Sequence, residues 1–69
     1  MEFTWEEGFS ISVNIDRDTV VISANKAGLL SLANQLRTLA QEQPRGHFHL
    51  DEHNSLEDNS RELIVELVE

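Results

Sequence analysis

Residues 9–16 alternate strictly: Phe9, Ile11, Val13 and Ile15 fall on one parity, Ser10, Ser12, Asn14 and Asp16 on the other. Period two over eight residues predicts a half-buried β-strand. Asp16-Arg17-Asp18 reads as a polar turn, and residues 19–24 (Thr-Val-Val-Ile-Ser-Ala) resume β-branched strand chemistry, so the two segments form a hairpin. At Asn25 the period changes. An Asn side chain accepts from the free amide protons of a first helical turn. Beyond it Leu29, Leu32, Ala33, Leu36, Leu39 and Ala40 follow at spacings of three and four. That is one apolar stripe of an amphipathic helix, widened by Leu30 and expected to supply core. Gly28 sits in the first turn, where a close approach to the sheet would suit it. The helix should end near Glu42, because Pro44 disfavours helical geometry in the residue before it.

Past Gly46 the alternation returns, with Phe48 and Leu50 on one face and His47, His49 and Asp51 on the other. A polar stretch over residues 52–60 reads as loop. Residues 62–68 form the last strand, placing Leu63, Val65 and Leu67 on one face and Ile64, Glu66 and Val68 on the other. Apolar residues on both faces of that strand predict an interior position or an edge that a partner covers.

The expected architecture is therefore α+β in the order ββαββ, with one amphipathic helix packed on one face of a four-stranded, mainly antiparallel sheet. Ile11, Val13, Ile15, Val20, Ile22, Phe48, Leu50, Leu63, Val65 and Leu67 are assigned to the covered face. Antiparallel pairing leaves two strand orders open, 2-1-3-4 and 1-2-4-3. One helix cannot cover both sides of four strands, so the second face meets water or another molecule. Residues 1–69 are read as a single domain, in which residues 1–8 are a flexible tail or a short extra strand. Trp5 in that segment is read as packing over a core edge, with an interface anchor as the sharper alternative.

Composition narrows the function. There is no cysteine, so disulfides are excluded and an oxidising compartment has no support. The N-terminus lacks the basic region and apolar core of a signal peptide, and no apolar run approaches the roughly 18 residues of a membrane span. A soluble, cytoplasmic protein without membrane association is expected. Thirteen acidic against five basic residues give a net charge of −8, a field that repels phosphate backbones. Nucleic acid is thus not an expected partner; a basic protein partner is allowed, and acidity that serves solubility alone is the plainer reading.

Candidate chemistry is sparse. His47, His49 and Asp51 recur every second residue, so their side chains share a strand face about 7 Å apart along the chain. Two imidazoles and a carboxylate so placed have the donor types of a zinc site, with Glu66 on the neighbouring strand as a further oxygen ligand. Polar residues on a solvated sheet face explain the same pattern without a metal, and no cofactor is expected. Ser10, Ser12, Ser23, Ser31, Ser55 and Ser60 lie in no nucleophile-elbow context, and Gly28 and Gly46 make no phosphate-cradling loop. A domain this short offers no deep cleft, so an enzyme is not expected. The face bearing His47, His49, Ile64, Glu66 and Val68 is the expected partner-binding surface, for a protein partner or a second copy of the chain.

Three segments carry a family pattern: residues 21–33 (Val-Ile-Ser-Ala-Asn-Lys-Ala-Gly-Leu-Leu-Ser-Leu-Ala), 46–51 (Gly-His-Phe-His-Leu-Asp) and 60–67 (Ser-Arg-Glu-Leu-Ile-Val-Glu-Leu). Together they resemble the Immunity protein 32 family of bacterial polymorphic toxin systems, over about residues 11–68. The resemblance implies an α+β protein that neutralises a toxin by binding it, with His47, His49, Asp51, Ser60 and Glu62 among the matched positions.

Overall fold

The computed structural model describes residues 3–42 and 46–68 of the chain. Its elements run β1 (Ile11–Asp16), β2 (Thr19–Ala24), α1 (Lys26–Ala40), β3 (His47–Leu50) and β4 (Leu63–Glu66), the expected ββαββ order. The strands do not join into one four-stranded sheet. They form two antiparallel pairs, β1 with β2 and β3 with β4. The reason lies on the outer edge of β1. There Ile11 O accepts from Glu57 N at 2.9 Å, Val13 O accepts from Arg61 N at 2.7 Å, and Val13 N donates to Ser60 Oγ at 3.2 Å. Residues 57–61 run along β1 in its own direction and occupy the edge that a neighbouring strand would need. Neither expected strand order is formed.

The first hairpin closes through Arg17 and Asp18, with φ of 50° and 72°. Positive φ at both central residues is the signature of a type I′ turn, whose twist matches that of the strands it joins. Asn25 caps α1 as expected: its Oδ1 accepts from Gly28 N at 2.7 Å. Gly28 is required by contact, because a Cβ there would collide with the Ser10 carbonyl oxygen and press on Ala24 and Ile11 at 3.0 Å.

That close approach fixes the rotation of the helix and overturns the expected leucine core. At about 100° per residue, Gly28 brings Ser31, Gln35 and Leu39 to the buried side with it. Leu29, Ala33, Leu36 and Ala40 lie about a quarter turn away and are exposed, Leu29 at 55 % and Leu36 at 43 %. Only Leu39 of the stripe is buried, with Leu32 packed partly against the core. The N-terminal segment supplies what the polar buried face needs. Glu6 N donates to Ser31 Oγ at 2.7 Å, and Gln35 Nε2 donates to Thr4 O at 3.1 Å.

Residues 3–8 form no strand. Their aromatic side chains roof the core: Trp5 stacks on Phe9 at 4.7 Å between ring centroids, and Phe3 meets Phe48 edge-on at 5.2 Å. Trp5 thus packs over a core edge. The core itself is Ile11, Val13, Leu39, Phe48, Leu50 and Leu56, flanked by Leu63, Val65 and Leu67. Leu56 is buried although it lies in the polar stretch. Asp51 O accepts from Asn54 N, Ser55 N and Leu56 N, folding residues 51–56 into a tight turn that carries Leu56 inward. Ile15, Val20 and Ile22, expected under the helix, are exposed instead; the close approach of α1 at Gly28 is to Ser10, Ile11 and Ala24, at the end of the hairpin away from its turn.

Candidate functional site

The outer face of the β3–β4 hairpin carries the side chains that the alternation placed there. Phe48, Leu50, Leu63 and Val65 turn inward, so period two sends His47, His49, Ile64 and Glu66 outward. The ladder sets His47 opposite Glu66 and His49 opposite Ile64. The two imidazole rings meet edge to face at 5.0 Å between centroids. His49 Nδ1 lies 3.1 Å from Glu62 Oε2, a hydrogen bond when that nitrogen carries the proton. Beyond the strand Val68 is 74 % exposed, and Leu67 N donates to Gly46 O at 2.9 Å, continuing the ladder to that end. The result is a firm two-stranded surface with an imidazole pair, two carboxylates and two exposed aliphatic side chains.

Asp51 stands apart from it. Its Oδ1 accepts from His53 N at 2.8 Å, and its N–H donates to Asn54 Oδ1 at 3.0 Å, so the side chain is committed to the turn that follows β3. The His53 side chain is 86 % exposed and makes a loose 3.8 Å approach to Glu52. Among the described residues, no group of three or more His, Asp or Glu is gathered closely enough to hold a metal ion. The expected trio of His47, His49 and Asp51 is therefore not assembled, since the turn captures the carboxylate.

Further exposed aliphatic side chains escaped the sequence reading. Ile15, Val20 and Ile22 are exposed on one face of the first hairpin and Val21 on the other, and Leu29, Leu30 and Leu36 are exposed on the helix. Residues 20–22 are three consecutive aliphatic positions, apolar on both strand faces. No cleft or cavity is present among the described residues, and no helix among them is long and apolar enough to cross a membrane.

These features define a small α+β domain that offers surfaces in place of a pocket. The family model of Immunity protein 32 matches residues 19–68, well over half of the chain and the span from β2 through β4. The chain belongs to the Immunity protein 32 family, and an immunity-protein-like role goes with that membership. No curated protein and no solved structure gives a significant match.

Proposed function

We propose that this protein is a non-enzymatic inhibitor that neutralises a bacterial toxin by binding it through the outer face of the β3–β4 hairpin. The observation that carries the reading is the family match, within which that face stands exposed and regular. A cross-strand ladder holds its side chains at fixed spacing, so little ordering entropy is lost when a partner docks. Ile64 and Val68 supply apolar contact, and His47, His49, Glu62 and Glu66 supply polar contact around them. A net charge of −8 favours a basic toxin surface and speeds encounter at low salt.

The test is calorimetric titration of the purified chain with the toxin domain encoded beside its gene. A micromolar or tighter complex is expected. Ile64→Asp, which changes an exposed residue, should weaken it at least tenfold, and His47→Ala should weaken it less. Absence of a complex at micromolar concentration overturns the reading. A complex indifferent to both variants moves the contact off this face.

A further inference from the structure

The outer edge of β2 is open. In the first hairpin Asp16 pairs with Thr19 next to the turn, Asn14 with Val21 and Ser12 with Ser23. A two-residue turn makes its closing pair hydrogen-bonded, and bonded pairs alternate along an antiparallel ladder. The N–H and C=O groups of Ile11, Val13 and Ile15 therefore point away from β2, which is where Ile11 and Val13 meet residues 57–61. By the same alternation, Val20 and Ile22 point their N–H and C=O groups away from β1. No described residue donates a backbone bond to them or accepts one from them.

Edge strands of soluble proteins are normally blunted by charge, proline or a bulge. This one has none of them: Thr19–Ala24 carries no charge and no proline, and pairs with β1 residue for residue. Its side chains are bare as well, with Val20 60 % exposed and Ile22 40 %. Val20, Ile22 and, across the ladder, Ile15 share one face. That face is covered at Ile11 and Val13 and open at Ile15, Val20 and Ile22, and a two-stranded ribbon with part of its apolar face uncovered gains from further strands.

We infer that a second copy of this chain adds to that edge, β2 against β2 in antiparallel sense, about a twofold axis through Val21. This contact is independent of toxin binding at the β3–β4 face. In that register Val20 of each copy pairs with Ile22 of the other, so the four free backbone groups of each strand are satisfied, and Val21 faces its own mate. One sheet of four strands results, with Ile15, Val20 and Ile22 of both copies forming a single apolar face.

Charge selects the same arrangement. Two chains of net −8 repel through most of their surfaces, yet the contact segment is neutral. Antiparallel pairing also carries each turn to the far end of its neighbour's strand. There Asp16-Arg17-Asp18, two carboxylates against one guanidinium, meets the start of the other copy's helix at Lys26. That lysine is exposed and has no ion-pair partner among the described residues.

The test begins with the mass of the full chain by light scattering at high micromolar loading. Twice the 7.9 kDa of the single chain is expected. Val20→Lys combined with Ile22→Lys places charge on exposed positions and should return the mass to that of one chain, with an unchanged far-ultraviolet spectrum. Ile64→Asp should leave the dimer intact. Lys26→Glu should weaken association several-fold, and adding Asp18→Lys should restore it. Val21→Cys gives a geometric readout in a chain that has no other cysteine. Facing residues of a non-hydrogen-bonded antiparallel pair stand about 4.5 Å apart at Cα, within disulfide reach. Mild oxidation should therefore cross-link Val21→Cys and leave Leu30→Cys uncoupled. A monomer at every loading overturns the inference, as does a dimer indifferent to the lysine pair or equal cross-linking at both cysteines. A monomer whose toxin complex is lost in the lysine variant assigns the edge to the toxin and overturns it too.

Discussion

Asn25 and Ser10 hold each other by reciprocal bonds: Asn25 Oδ1 accepts from the Ser10 N–H at 3.0 Å, and the Ser10 carbonyl accepts from the Asn25 N–H at 3.1 Å. The same Oδ1 caps the helix at Gly28, and Asn25 Nδ2 donates to Gly8 O at 3.0 Å. One side chain thus ties the helix start to the strand entry and to the turn before it. Removal of an Asn cap alone costs about 1 kcal/mol, and the two further contacts bring the expected loss for Asn25→Ala to about 2 kcal/mol. Asn25→Asp keeps both acceptor bonds and loses only the donor, so it should fall between wild type and alanine. Urea unfolding followed by circular dichroism checks the order, and an alanine variant as stable as wild type would contradict it.

The turn of the first hairpin can be improved. Arg17 and Asp18 both occupy the left-handed region, which costs a side-chain-bearing residue about 1 kcal/mol or more relative to glycine. Neither residue makes a side-chain hydrogen bond to another described residue that the substitution would break. Arg17→Asn with Asp18→Gly matches the preference of a type I′ turn and should raise stability by about 1 kcal/mol. A higher urea midpoint with an unchanged slope is the expected result. An unchanged or lower midpoint would show that the hairpin tip is not limiting.

The helix shows where the sequence was legible and where it was not. Its start, length and cap follow from Asn25 and the change of period, and the inward parity of Phe48, Leu50, Leu63 and Val65 follows from alternation. Its rotation does not. A count of apolar positions favours Leu29 and Leu36, because it cannot see that Gly28 must approach the Ser10 carbonyl. Nor can it see that Ser31 and Gln35 find backbone partners in residues 4–6. Similarly, strands were assigned by pattern, but the capture of the β1 edge by residues 57–61 depends on a serine hydroxyl and backbone groups that leave no periodic trace. On the candidate face the outward set of His47, His49, Ile64 and Glu66 was readable from parity. Asp51 was not, since its carboxylate bonds locally.

The rotation makes a sharp contrast between two leucines three residues apart. Leu39 is 4 % exposed and sits in the core, so Leu39→Ala should cost about 3 kcal/mol. Leu36→Ala removes a side chain that is 43 % exposed and outside the core, and should cost about 1 kcal/mol or less. Paired urea titrations at low concentration measure both. Equal losses would place the helix in the rotation that its leucine stripe suggested.

Gln35 is fully buried, and its two polar atoms fare differently. Nε2 donates to the carbonyl of Thr4, whereas Oε1 has no hydrogen-bond partner among the described residues. A buried acceptor left unpaired costs about 1–3 kcal/mol of desolvation, while the bond that Nε2 makes returns about 1 kcal/mol. Thr4 is exposed as a residue, and its bond to Nε2 is part-buried, so the loss of that bond is the cost set against removal of the orphan acceptor. Removing both atoms while keeping the volume should therefore help: Gln35→Met is expected to raise stability by about 1 kcal/mol or less. Gln35→Glu must act in the opposite direction at neutral pH, because it buries a carboxylate with no cation against it and breaks the bond to Thr4. The damage should shrink as pH falls and the introduced acid takes up a proton, since the neutral form is the one the site tolerates and can itself donate to Thr4 O. Unfolding midpoints of the two variants across neutral to mildly acidic pH decide the matter. A methionine variant that is markedly destabilised would mean that the Thr4 contact outweighs the orphan acceptor, and that the amide is what holds the N-terminal segment on the helix.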